Sequence, residues 1–90
     1  MYKLVITESY QKRAEKFFHK HTGLIGQYEK VLQLMCLNPH HPSLRLHKLS
    51  GNMTGLSSIS INLSYRLIIH FIIKDDLIVP IDIGSHEDVY

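Results

Sequence analysis

Ser57-Ser58-Ile59-Ser60-Ile61-Asn62-Leu63, Tyr65-Arg66-Leu67-Ile68-Ile69-His70-Phe71-Ile72-Ile73-Lys74 and Leu77-Ile78-Val79-Pro80-Ile81-Asp82-Ile83 are three runs that follow one another almost without interruption. Rich in β-branched and aromatic residues and carrying no helical spacing, they predict three strands. Lys74-Asp75-Asp76 is a short polar turn, so the last two runs form an antiparallel hairpin. Strand alternation sorts their side chains. Ile59, Ile61 and Leu63 point one way and Ser58, Ser60 and Asn62 the other. Tyr65, Leu67, Ile69, Phe71 and Ile73 oppose Arg66, Ile68, His70 and Ile72. Leu77, Val79, Ile81 and Ile83 oppose Ile78, Pro80 and Asp82. One face is apolar and the other mixed, with Ser60, Arg66, His70 and Asp82 gathered on the mixed face. Pro80 argues against regular pairing and predicts an edge or a bulge.

Working outward, Tyr2 to Ile6 alternates as a further short strand. Thr7, Glu8 and Ser9 favour a helix start, and Tyr10, Ala14, Phe17 and Phe18 give an amphipathic helix to about His21. Thr22-Gly23 breaks it. Leu24, Tyr28, Val31, Leu32 and Met35 form a second apolar stripe, stopped at Asn38-Pro39 because proline disfavours helix in its predecessor. Residues 38–43 are a loop, and Ser50-Gly51-Asn52 is a turn. The class is α+β in the order β-α-α-β-β-β, a helical hairpin packed on one face of a small antiparallel sheet.

Ninety residues fit a single domain, residues 1–90. Hydrophobic residues at 44% are too many for intrinsic disorder. The lone cysteine, Cys36, has no internal disulfide partner, the first residues lack a signal-peptide layout, and no apolar run is long enough to span a bilayer. A cytoplasmic location and no membrane partner are expected. The net charge of +2 is weak evidence for nucleic acid. Its distribution is uneven, with Lys12, Arg13, Lys16 and Lys20 on the first helix and acids gathered near the end. That basic stripe is either a solvated face or a surface that touches nucleic acid through counterion release.

Phosphate-loop, dinucleotide and serine-hydrolase motifs are absent, and no paired Cys or His has zinc spacing. His40-His41 with His47 is a remote candidate for a metal against a solvated loop. No metal and no small-molecule cofactor are expected. His86, His47, Arg66, Lys48 and Tyr90 remain, a set suited to metal-free RNA cleavage. The 2′-hydroxyl is an internal nucleophile, so the reaction needs a base, an acid and cations for the phosphorane charge. Histidine, with an unperturbed pKa of about 6.5, serves either proton role. By spacing alone, a histidine in a C-terminal tail is more often solvated than catalytic.

Leu49-Ser50-Gly51-Asn52-Met53-Thr54-Gly55-Leu56, then Tyr65-Arg66-Leu67-Ile68-Ile69, then Ile83-Gly84-Ser85-His86-Glu87-Asp88-Val89-Tyr90 resemble the RelE/ParE superfamily of type II toxins, and the ending resembles its YafQ-like branch. The likeness covers nearly the whole chain. It implies a RelE-like fold, a ribosome-dependent messenger-RNA endonuclease (mRNA interferase), and a cognate antitoxin partner. It implies His86 as the catalytic histidine, Tyr90 as the terminal aromatic, His47 as an earlier site histidine and Arg66 as the residue steadying the scissile phosphate. Lys48 and Arg45 are candidate phosphate contacts beside them. The sequence departs from the branch at Ser60 and Ser64, where a histidine and an aspartate are usual, and at Leu56, where an aromatic is common. Two alternatives follow: a ParE-like toxin that inhibits DNA gyrase, and a catalytically degenerate relative that still binds an antitoxin. For single residues, Arg66 is a phosphate contact or a structural cation paired with Asp82, and Tyr90 a site residue or a frayed end.

Overall fold

In the computed structural model, which describes residues 1–90, Thr7 starts the first long element: its Oγ1 accepts a hydrogen bond from the Tyr10 N–H at 3.1 Å. That cap satisfies one of the free donors at the start of α1 (Glu8–Lys20), and Glu8 in the first turn favours the positive end of the helix dipole. A short 3-10 turn at Thr22–Leu24 joins it to α2 (Ile25–Leu37), which stops at Asn38 ahead of Pro39. The remaining elements are β1 (Lys3–Leu4), β2 (His47–Lys48), β3 (Ser57–Ser60), β4 (Tyr65–Ile72), β5 (Leu77–Ser85) and the single-turn helix α3 (His86–Val89). The five strands form one sheet in the order β1-β5-β4-β3-β2.

The α+β arrangement matches the sequence reading, with two differences in the sheet: β2 is a fifth strand, and the sheet is mixed, not wholly antiparallel. β2–β3, β3–β4 and β4–β5 are antiparallel, whereas β1 pairs with β5 in parallel. The Lys3 N–H bonds the Asp76 carbonyl at 2.8 Å and the Val5 N–H the Ile78 carbonyl at 2.9 Å. Alternation within a strand does not encode its neighbour, and the long path through the helical hairpin permits the parallel partner. β2 is held against β3 by the intervening turn, where Gly51 and Gly55 sit at φ +66° and +96°, backbone that glycine adopts without steric cost.

The core joins Tyr10, Val31, Met35 and Leu44 to Ile59, Ile61, Leu67, Ile69, Ile78 and Ile83 of the sheet. On the β3 and β4 runs, two members of the expected apolar face fall outside it. Leu63 is 83% exposed because β3 ends at Ser60: the Asn62 Oδ1 accepts from the Ser64 and Tyr65 N–H groups at 2.8 and 2.9 Å and turns the chain early. Ile73 is exposed because β4 gives way to a 3-10 turn closed by Asp76 in the left-handed region.

β5 shows the irregularity that Pro80 predicts. Ile69 lies opposite Pro80 while Ile68 lies opposite Asp82, leaving Ile81 as the extra residue of a bulge. Parity therefore changes along the strand: Ile78 and Pro80 are buried before the bulge and Ile83 after it, while Leu77 and Val79 are half-buried. The expected grouping of Leu77, Val79 and Ile81 with Ile83 is thus corrected. Nor is the face opposite the helices bare, since Ser58 and Ile68 are fully buried there.

Tyr10 and Tyr28 share a hydrogen bond between their hydroxyls at 2.7 Å beneath the helices. Burial first, and then the Tyr28 hydroxyl, raises the Tyr10 phenol above its ordinary value, and burial raises Tyr28 as well. Below pH about 10 both folded and unfolded chains keep these protons. Above it the unfolded chain loses them first, so stability falls by about 1.4 kcal/mol per pH unit for each such group. Tyr10→Phe is expected to flatten that alkaline decline, read as denaturant midpoints of the two proteins at successive pH values, while costing about 1 kcal/mol at neutral pH through the lost hydrogen bond.

Candidate functional site

His86 owes its position to the turn built around it. Ser85 caps α3: its Oγ accepts from the Asp88 N–H at 3.2 Å while the Asp88 carboxylate accepts from the Ser85 N–H at 3.3 Å, a reciprocal capping box. Val89, 6% exposed, anchors the turn against β5 and β4. Gly84 lets it lie close, because a Cβ there would stand 2.9 Å from the Asp88 Cβ and 3.2 Å from the Val89 Cγ1. One turn on, the Tyr90 N–H bonds the His86 carbonyl at 3.1 Å, and the two rings meet edge to face with centroids 4.2 Å apart. Tyr90 is thus folded back onto the histidine.

Arg66 lies in the β4–β5 ladder opposite Gly84, two residues before His86, and opposite Ser60 on its other side. Its Nη1 is buried with no hydrogen-bond partner. Asp82 does not supply one: its carboxylate accepts from the Ile83 N–H at 2.8 Å and pairs with Arg13 of α1 at 3.4 Å. The structural reading of Arg66 as a partner of Asp82 is therefore corrected. A buried guanidinium nitrogen left unmatched costs free energy, and an anion brought beside it recovers that cost.

Ser60 is occupied, its hydroxyl donating to the Asn62 carbonyl at 2.7 Å across the β3–β4 turn. Ser64 is exposed, with its N–H in the same turn. Leu56 is half-buried at the end of the β2–β3 turn. His70 is exposed, with no hydrogen bond.

His47 is exposed on β2 in the cross-strand row of Ser58 and Ile68, so it shares the face of Arg66 two strands away. Its Nδ1 lies 3.3 Å from the Arg45 carbonyl, and neither a hydrogen bond nor a ring contact joins it to His86. Lys48 pairs with Ser57 in the next row, on the helix side of the sheet. Arg45, exposed at φ +48°, sits outside the sheet in the turn before β2. His47 and Lys48 line a separate hollow of about 370 Å³ with Tyr2, His40 and Phe71, near the far end of β4 from Tyr65. The structure thus brings His86, Tyr90 and Arg66 to one end of β5, keeps His47 on their face, and places Lys48 and Arg45 elsewhere. No three His, Cys, Asp or Glu side chains converge in a way that could hold a metal ion. Burial raises the Cys36 thiol, which makes it a poor nucleophile.

Gly84, Ser85, Asp88 and Val89 are the supporting residues that a reading of His86 alone passes over, although the Ser-x-x-Asp spacing of a capping box was there to find. Gly84→Ala is expected to push α3 away and cost about 1–3 kcal/mol, since neither Asp88 nor Val89 can yield without losing cap or anchor. Ser85→Ala is expected to cost about 1 kcal/mol, mostly as local fraying. Nuclear Overhauser contacts between the His86 and Tyr90 rings report both changes: they should vanish in the first variant and weaken in the second.

No family model matches the chain, and no curated protein matches it in sequence. Solved structures do match. YafQ from E. coli strain BL21(DE3) aligns at a TM-score of 0.80 and 15% identity over 100% of this chain and 99% of that one. A copper-bound mutant toxin from Helicobacter pylori aligns at 0.74 and 26% identity over 100% of both chains. The YoeB/ParE toxin from Agrobacterium tumefaciens aligns at 0.75 and 19% identity over 93% and 98%. Taken with the element order and the mixed five-stranded sheet, these alignments give the chain the fold of the YafQ and YoeB/ParE toxins.

Proposed function

We propose that the chain is the toxin of a type II toxin–antitoxin pair and an endoribonuclease acting on messenger RNA during translation. The observation that carries the chemistry is the buried, unpartnered Arg66 nitrogen beside the strand whose end delivers His86. A phosphate is the anion that fits a guanidinium held in this way. The structural neighbours include complexes of YafQ with DinJ from E. coli and of YoeB with YefM from Staphylococcus aureus, which supports a cognate antitoxin as partner. No helix is long and apolar enough to cross a membrane.

In the proposed reaction the 2′-oxygen forms a bond to phosphorus as a base removes its proton, and the bond from phosphorus to the 5′-oxygen breaks as an acid protonates the leaving oxygen. The products are a 2′,3′-cyclic phosphate and a 5′-hydroxyl. His86 fills one proton role, its ring fixed by Tyr90, and Arg66 takes the charge that builds on the phosphorane. His47, on the same face, is the residue available for the other role. With Ser60 tied to the Asn62 carbonyl, the site relies on fewer titratable groups than its branch. Lys48 and Arg45 lie away from the scissile phosphate and are left with flanking phosphates.

The engaged Ser60 also favours a second reading, a degenerate toxin that binds its antitoxin without cutting. Mapping 5′ ends on a reporter message in a cell-free translation system separates the two. In-frame cuts that require ribosomes are expected from the wild type, reduced about 10²-fold or more by His86→Ala and by about 10²–10³ by Arg66→Ala. An uncut message would end the nuclease proposal, and a gyrase supercoiling assay would then tell a ParE-like inhibitor from an inactive relative.

A further inference from the structure

A second concavity lies on the helix side of α3. It is a groove of about 420 Å³ between α1 and the end of β5. Arg13, Lys16 and Lys20 stand along it, spaced at three and four residues so that they fall on one face of α1. Two carboxylates are present, and both are engaged: Asp82 with Arg13 at 3.4 Å, Asp88 with the cap of α3. Lys16 and Lys20 make no ion pair, unlike Lys12, which meets Glu8 at 3.4 Å. Two cations therefore face the groove without an ion-pair partner, about 6 Å apart along the helix axis, and outnumber the one carboxylate there that lacks an ion pair, Asp88.

The wall between them is aromatic. Phe17 stacks on His21 with ring centroids 4.3 Å apart, and both meet Tyr65, at 5.2 and 4.8 Å. Tyr65 is the ladder partner of Ser85, the residue that caps the turn carrying His86. Phe17 and Tyr65 are half-buried against the core, and Phe17 with His21 lines the groove; free cations at a regular step beside such rings form the combination by which proteins hold a single strand, the cations tracking phosphates and the rings taking bases. An acidic peptide would use the cations and leave the rings idle.

We infer that this groove binds a single-stranded polynucleotide, which under the function proposed above is the RNA strand running to or from the His86 end of the sheet. Lys16 and Lys20 contact successive phosphates, and Phe17 with His21 offers a stacking surface indifferent to base identity.

The test measures binding of uridine and adenosine decamers to the full chain carrying His86→Ala, so that cleavage cannot interfere. It compares that protein with one carrying Lys16→Gln and Lys20→Gln in addition, between about 50 and 200 mM salt. Both lysines are exposed and unpaired, so the variant should fold as the parent does, and its thermal melting checks this. The expected result is affinity weakened about tenfold at low salt for both decamers, with the logarithmic salt slope reduced by about 1.4, near 0.7 for each lost phosphate contact. An unchanged slope and affinity overturns the inference. So does a glutamate decamer that binds the parent as tightly as RNA and is weakened equally, which would make the groove a protein surface. If the wild type cuts no message yet the slope falls as expected, the groove stands and the nuclease proposal falls. If it cuts and the slope is unchanged, the reverse holds.

Discussion

Pro80 has no N–H to give the sheet, yet it sits on β5, a strand paired with β4 along its length and with β1 at Leu77 and Ile78. Around that constraint the strand takes up one extra residue, Ile81, and the parity of everything after it is exchanged. Without the bulge Ile83 would leave the core, and Gly84 would face the helices instead of lying under α3. A single skipped pairing thus decides which face of the sheet receives His86 and allows Arg66 to have Gly84, a residue without a side chain, as its neighbour.

How much of this was legible in the sequence depends on the range of the interaction. The helical hairpin was readable because Thr7, Thr22-Gly23 and Asn38-Pro39 act through local backbone geometry. The strands of the second half were readable from alternation, and Pro80 announced its bulge. What alternation could not supply was the parity beyond the bulge, since a shift of one residue inverts every later assignment. β2 was too short to show a pattern, and β1 too short to reveal its parallel partner. Leu63 was misplaced because the side chain of Asn62, a local hydrogen-bonding group, ended β3 sooner than hydrophobicity implied.

At the candidate site the division is similar. The residues His86, Arg66 and Tyr90 were found by motif, whereas their relations came from tertiary structure. Asp82 has two cations within the reach of its neighbourhood in the fold, and it meets the one on α1. Ser60 shows a structural use: its hydroxyl closes the turn into β4.

The four residues of α3 form too short a helix to hold themselves together in water, and their order is borrowed from the cap, from Val89 and from the bare backbone at Gly84. The main core contains none of them. The packing that holds the helices to the central strands is therefore separate from the contacts that hold the last seven positions. Selection can act on the two independently: a lineage can retain a well-folded scaffold while its last turn drifts, and two copies can differ at that turn by an exposed side chain that leaves the melting temperature almost unmoved.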